Sequence, residues 1–241
     1  MKMKTIFTAL TALLISFSVF SQNDYSDLLI IQADTDWEKL IKHAERYTQK
    51  GSTEKDAEPY YYLAYGLYKI SFQATRSDAY KNAYKESFTA IGKMLRYDKS
   101  GDVQAAQSEF INEMKLSLLE IIQNETDNEE YRRAFGWAMR LYKFGRDYAP
   151  ALYIEGALRS RNNDQSTARI KWEEGNKLTK DAQIGDWSEA DQKLLMLGLY
   201  ESAKALVDLR QPDKAKEMMD IGAPYFEEDK RWQAQYDEIV N

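Results

Sequence analysis

The segment 150–175, PALYIEGALRSRNNDQSTARIKWEEG, constrains the fold more than any other part of this chain. It contains two stretches of helical periodicity on either side of a polar Asn-Asn-Asp sequence, which favours a turn. In the second stretch, Ala168, Trp172 and Gly175 follow one another at offsets of four and three, so they share one face of a helix. Gly156 stands where two helices need room to approach each other. The segment therefore predicts two short helices that fold back on each other.

This spacing occurs a second time in the chain. Gly156 is followed at offsets of twelve, four and three by Ala168, Trp172 and Gly175. The same offsets connect four residues nearer the carboxyl end, namely Ala203, Ala215, Met219 and Gly222. A third set of residues precedes Ala168, Trp172 and Gly175 by 34 positions each, namely Ala134, Ala138 and Leu141. The chain therefore contains a repeated helical unit.

The repeated pattern resembles the tetratricopeptide repeat, whose 34-residue unit is a helix, a turn and a second helix. The resemblance implies an all-α fold of stacked antiparallel helical hairpins, an α-solenoid. Helical periodicity recurs from Asp36 to Ile239, and no long stretch alternates polar and apolar residues, which predicts about nine helices and no sheet. Residues 22–241 are expected to form one such helical-repeat domain.

The amino terminus has the pattern of a secretory signal peptide. Two lysines precede an apolar run at residues 6–20, and compact residues precede a cleavage site before Gln22. The run has about 15 residues, which is fewer than the roughly 20 that a bilayer-spanning helix needs. We therefore expect residues 1–21 to be cleaved and the mature chain to be exported without a transmembrane segment. The periplasm is the expected compartment, and the extracellular space is the alternative.

Charge and composition exclude several classes of function. Removal of the two amino-terminal lysines changes 33 basic and 39 acidic side chains to 31 and 39, a net charge of −8, which argues against a nucleic-acid partner. The chain has no cysteine, so disulfides, thiolate metal sites and thiol nucleophiles are excluded. The single histidine, His43, lies beside a lysine and is expected at the surface. We therefore predict no catalytic residue, no metal site and no cofactor.

A glycan-related function is the alternative prediction. The Glu201-Ser202 pair is similar to the one found in lytic transglycosylases, which are also helical and exported, but the glycine-leucine-methionine-glutamine turn of those enzymes is missing. The 17 tyrosines and 5 tryptophans could also form a sugar-binding surface. Most of these aromatic residues follow the helical period, which favours a role in packing.

The resemblance also implies a binding surface. In tetratricopeptide arrays the first helix of each hairpin lines a concave groove. This helix carries a small residue at a fixed position, and the groove is lined by the residue three positions before it and by the residues one, four and five positions after it. Placing that position at Gly156 and at Ala203 nominates a mixture of tyrosines and charged residues for the groove. The nominated residues are Tyr153, Ser160, Arg161, Tyr200, Lys204 and Asp208. Such a surface suits a peptide or the edge of a folded protein.

These features predict a non-enzymatic, exported adaptor or scaffold of the bacterial cell envelope. It would bind a protein or peptide partner, such as a subunit of an envelope complex, through its helical-repeat groove. The alternative is a glycan-acting enzyme of the lytic-transglycosylase type or a glycan-binding protein.

Overall fold

The computed structural model describes residues 24–241, and within this range the chain forms α-helices, three short 3-10 segments and turns, without any β-strand. The predicted all-α fold is therefore confirmed for these residues. The predicted signal peptide, residues 1–21, lies outside the described residues. The helices are α1 (Ser26–Ala33), α2 (Trp37–Gln49), α3 (Ala57–Ser71), α4 (Ala83–Tyr97), α5 (Asp102–Ala106), α6 (Ser108–Asp127), α7 (Tyr131–Ala138), α8 (Ala149–Arg161), α9 (Gln165–Thr179), α10 (Glu189–Asp208), α11 (Pro212–Asp220), α12 (Ala223–Phe226) and α13 (Lys230–Val240).

The prediction of about nine helices is wrong, because residues 24–241 form thirteen α-helices. One extra helix arises at Gln107, whose backbone leaves the helical region at φ −110° and ψ 19° and separates α5 from α6. Another arises at Pro224, which lies just after the end of α11. Pro224 lies in the first turn of α12, where its missing N–H leaves no intrahelical hydrogen bond unmade.

The predicted hairpin at 150–175 is confirmed as α8 and α9, which pack against each other along their length. Asn163 takes a left-handed conformation in the turn, with φ 66°. Asp164 then caps α9 by accepting a hydrogen bond from the backbone N–H of Thr167 at 3.3 Å. A Cβ atom at Gly156 would lie 2.6 Å from Cδ1 of Trp172, so only glycine allows this approach of the two helices. The sequence pattern therefore identified a close contact between the two helices of the hairpin.

A third helix completes the same junction. The indole Nε1 of Trp172 donates a hydrogen bond to Oγ of Ser202 on α10 at 2.8 Å. Ser202 in turn donates to the backbone carbonyl of Tyr153 on α8 at 3.0 Å. Trp172 and Ser202 are both buried. The tryptophan side chain therefore joins α8, α9 and α10 through packing and hydrogen bonds together.

Helices that follow one another in the chain mostly pack as neighbours, as α2 does with α3, α3 with α4, α6 with α7, α8 with α9, and α10 with α11. In addition, α8 packs along α10, and α13 closes against α10 and α11. One contact departs from this order, because α6 packs directly against α10 and skips the α8–α9 hairpin. At this contact Nζ of Lys115 lies 2.7 Å from the Asp191 carboxylate.

Two hydrophobic clusters hold the helices together, and α8 and α10 contribute to both. Ile154 and Leu194 belong to the cluster formed with α1–α7, whereas Tyr153 and Leu195 belong to the cluster formed with α9, α11 and α13. Both helices are therefore buried on opposite sides. Over the described range, no helix is at once long enough and apolar enough to cross a membrane.

Candidate functional site

Four of the six predicted groove residues lie together near the carboxyl ends of α8 and α10. Arg161, the last residue of α8, forms an ion pair with Asp208, the last residue of α10. One turn earlier on α10, Nζ of Lys204 lies 5.1 Å from the ring centroid of Tyr200. We call Arg161, Tyr200, Lys204 and Asp208 the α8–α10 patch.

The other two predicted residues do not line an open surface. Tyr153 is fully buried, and its hydroxyl group donates to Oδ1 of Asn176 at 2.8 Å. Ser160 is also buried, and its hydroxyl group bonds to the side chain of Gln165 at 2.9 Å. Both positions are enclosed because α9 and α10 pack against α8 from different sides. We therefore correct the prediction that Tyr153 and Ser160 line a partner-binding groove: both side chains are buried in the core.

The charged groups of the α8–α10 patch already have partners within the chain. Besides the ion pair of Arg161 with Asp208, Nζ of Lys204 lies 3.4 Å from the Glu201 carboxylate. The hydroxyl group of Tyr200 donates to Glu238 on α13 at 2.7 Å, and burial raises the pKa of Tyr200. These contacts connect α8, α10 and α13. The patch therefore contributes to helix packing and has few free polar groups to offer a partner.

Glu201, the residue on which the transglycosylase similarity depends, is buried with 6% of its surface exposed. Desolvation raises the pKa of its carboxyl group, while the nearby Lys204 and Arg161 oppose that increase. A raised pKa suits a general acid, but such an acid must also reach a substrate. Here Lys204 lies next to the carboxylate on the side of the patch. Glu201 is therefore a buried carboxyl group that contacts a lysine of its own helix.

We expect Glu201→Gln to leave the free energy of unfolding at pH 7 unchanged or higher, because burial penalises a carboxylate more than an amide. The raised pKa means that the folded state binds the proton more tightly than the unfolded state. This contribution to stability is therefore present below the ordinary glutamate pKa of about 4.3 and is lost as the pH rises through the folded-state pKa. Urea unfolding of both proteins from acid to neutral pH measures the difference. A wild type that gains stability over the variant as pH rises contradicts this account.

A second candidate site, not predicted from the sequence, is a groove of 410 Å³ between α9 and α11. We call it the outer groove. Its floor is apolar and consists mainly of Trp172, Leu206 and Met218, all of which are buried in the α9–α10–α11 core. Leu209 and Ile221 extend the floor and are half-buried. Pockets of this size with an apolar base are typical of ligand-binding sites.

Four exposed charged residues line the walls of the outer groove. Arg169 and Glu173 lie on α9, and Lys214 and Glu217 lie on α11. In the part of the chain that the structure describes, none of the four forms an ion pair. These groups are therefore free to pair with a ligand, unlike those of the α8–α10 patch.

The charges of the outer groove follow the same order on both helices. The ion pair between Arg161 and Asp208 joins the carboxyl ends of α8 and α10, so α9 and α11, which follow these helices in the chain, both begin near that end. Arg169 and Lys214 lie toward the start of their helices, and an acid follows each of them within one turn. A basic residue thus precedes an acidic residue on both helices, and we call Arg169 and Lys214 the basic section of the groove and Glu173 and Glu217 its acidic section.

Comparisons of the chain with protein-family models, with curated proteins and with solved structures gave no match. Among residues 24–241, no group of three or more histidine or acidic side chains is arranged to hold a metal ion. The functional assignment therefore rests on the two surfaces described above. Of these, the outer groove combines a cavity, an apolar floor and unpaired charges.

Proposed function

We propose that the protein is an exported, non-enzymatic adaptor that binds a protein or peptide partner in the bacterial cell envelope, using a scaffold of tetratricopeptide-like helical hairpins. The outer groove is the observation that carries this proposal. The basic and apolar pattern of residues 1–20 supports export. The consecutive packing of antiparallel hairpins, and the buried small residues at the repeat positions, support a solenoid-like scaffold.

The outer groove suits an amphipathic helix or an extended peptide with apolar anchor residues. Apolar side chains of such a ligand would cover the half-buried Leu209 and Ile221 on the floor. Acidic residues of the ligand would face Arg169 and Lys214, and basic residues would face the acidic section. This order of charges would fix the direction of the ligand in the groove, because the reverse direction brings like charges together.

Charge reversal at the basic section provides a test. We expect the Arg169→Glu/Lys214→Glu variant to capture about tenfold less partner from envelope extract than wild type, since rim charges govern association, and tenfold corresponds to about 1.4 kcal/mol. Both side chains are exposed, so the fold should be unaffected. The full chain, purified as the cell processes it, is the bait, and mass spectrometry quantifies the captured proteins.

Two controls make this result specific. The variant Lys55→Glu/Lys99→Glu changes the net charge equally at exposed loop positions and should capture as much as wild type. The variant Tyr200→Ala/Lys204→Ala removes part of the α8–α10 patch. Loss of capture in the patch variant, with capture retained after reversal in the outer groove, would place the partner on the originally predicted surface and reject the outer groove.

The glycan-acting alternative is supported only by the buried Glu201 and its raised pKa. It makes a different prediction for the same assay. If Glu201→Gln abolishes cellular function while partner capture persists, the carboxyl group performs chemistry and the adaptor proposal is wrong. An adaptor should tolerate this change in every functional assay.

A further inference from the structure

A second cavity, of 430 Å³, lies between α4 and the segment 139–143 that follows α7. Three cations surround it, namely Lys85 on α4 and Arg140 and Lys143 on the opposite side, with Glu86 as its one acidic lining residue. We call it the basic cavity. A locally positive site is unusual in a chain whose formal net charge is −6. Its floor is apolar and includes the fully buried Phe88 and the half-buried Met139.

Arg140 is the central cation of this site. Its guanidinium group lies 4.5 Å from the ring centroid of Trp137 and donates a hydrogen bond to the carbonyl of Gly136. Among the described residues, no carboxylate lies within ion-pair distance of Arg140, and its burial lowers the pKa of the guanidinium group. A half-buried cation without an anion costs free energy, and a ligand carboxylate would offset that cost.

The two walls of the basic cavity contact each other closely at Gly92. Gly92 of α4 lies directly against Lys143, and a Cβ atom there would be 3.3 Å from the Lys143 carbonyl oxygen. Also on the α4 wall, Nζ of Lys85 lies 5.6 Å from the ring centroid of Trp137. Neither lysine forms an ion pair within residues 24–241. All three cations therefore line the cavity without an ion-pair partner among the described residues.

We propose that the basic cavity binds an acidic peptide segment of a partner protein. Its carboxylates would pair with Arg140, Lys143 and Lys85, and an adjacent apolar side chain would cover the half-buried Met139. A small inorganic anion would leave the apolar floor uncovered and most of the 430 Å³ unfilled. The site lies on α4 and the segment 139–143, away from the outer groove on α9 and α11, so this proposal goes beyond the proposed function and adds a second attachment point.

Calorimetric titration of the full chain with synthetic peptides tests the proposal. The probe is acetyl-Glu-Leu-Glu-Glu-Leu-Glu-amide, and the matched control replaces each glutamate with glutamine. We expect the acidic peptide to bind at least about tenfold more tightly than the glutamine peptide or inorganic phosphate, with an affinity that falls as salt is added. Arg140→Gln and Lys143→Gln should each weaken binding several-fold, whereas Lys180→Gln, at the exposed end of α9, should not.

Four results would overturn this proposal. One is the absence of binding by the acidic peptide, and another is equal binding of the acidic and glutamine peptides. The third is an equal loss in the Lys180→Gln control, which would indicate unspecific attraction. Phosphate binding as tight as that of the peptide would reduce the site to a simple anion site. Since Arg169→Glu/Lys214→Glu leaves the basic cavity intact, failure of the outer groove and failure of this site are distinguishable.

Discussion

Trp172→Ala is expected to lower the free energy of unfolding by about 3–5 kcal/mol, the range for removing a large aromatic side chain from a core. The ring is 5% exposed and lies against Gly156, so its removal leaves a cavity at the junction of α8, α9 and α10. The substitution also removes the hydrogen bond from Nε1 to Ser202. Urea unfolding followed by circular dichroism measures the change.

Two variants on α9 serve as controls for this result. Trp172→Phe keeps much of the ring but loses the hydrogen-bond donor, so its cost should be smaller than that of the alanine variant. Ile170→Ala removes a side chain that is 52% exposed on the same helix, and it should change stability little. If Trp172→Ala proves no less stable than Ile170→Ala, the junction does not hold the hairpins together as described.

Asp191→Ala should also destabilise the fold strongly, by about 3–5 kcal/mol, because it leaves a buried cation without its partner. The Asp191 carboxylate lies 2.7 Å from Nζ of Lys115, and the side chains are 18% and 12% exposed. It also accepts hydrogen bonds from the hydroxyl groups of Tyr148 and Ser188. Burial and the adjacent Asp191 raise the pKa of Tyr148 well above its usual value, so this hydroxyl group stays protonated and continues to donate. Chemical unfolding measures the loss of stability.

A double variant distinguishes the effect of the uncompensated Lys115 charge on stability from the effect of losing the Asp191 side chain itself. In Lys115→Met/Asp191→Ala the unpaired cation is gone, so much of the lost stability should return. For comparison, Glu189→Ala breaks an exposed pair with Lys193 one turn away and should have a far smaller effect. If the double variant is as unstable as Asp191→Ala alone, the uncompensated charge is not the cause.

The local part of the fold was predictable because its signals are local. The spacing of Ala168, Trp172 and Gly175 predicted one helix face, and all three residues are buried as expected. The position of Tyr153 was not predictable in the same way. Its environment depends on α9 and α10 together, and their simultaneous packing on α8 turns a nominated groove position into a core position.

The candidate sites also differ in whether they depend on local sequence signals or on the packing of several helices. Arg161 and Asp208 are 47 residues apart, and both were nominated for the groove; the structure shows that they form an ion pair. The outer groove and the basic cavity were missed because each combines side chains from two helices that were interpreted only for their packing. Arg169 and Lys214 appear in the sequence as ordinary exposed residues of amphipathic helices. Only their position on either side of an apolar floor distinguishes them.

The direct contact of α6 with α10 changes how this chain can be shortened and how it folds. In arrays whose units touch only their neighbours, terminal units can be removed one at a time and unfolding can spread from one end. Here Lys115 and Asp191, 76 residues apart, tie an early helix to a late one. A fragment that ends before α10 would leave the α10-facing side of α6 open to water. The chain should therefore unfold as a single cooperative unit, and pairing across so long a segment should slow its folding relative to a purely nearest-neighbour array.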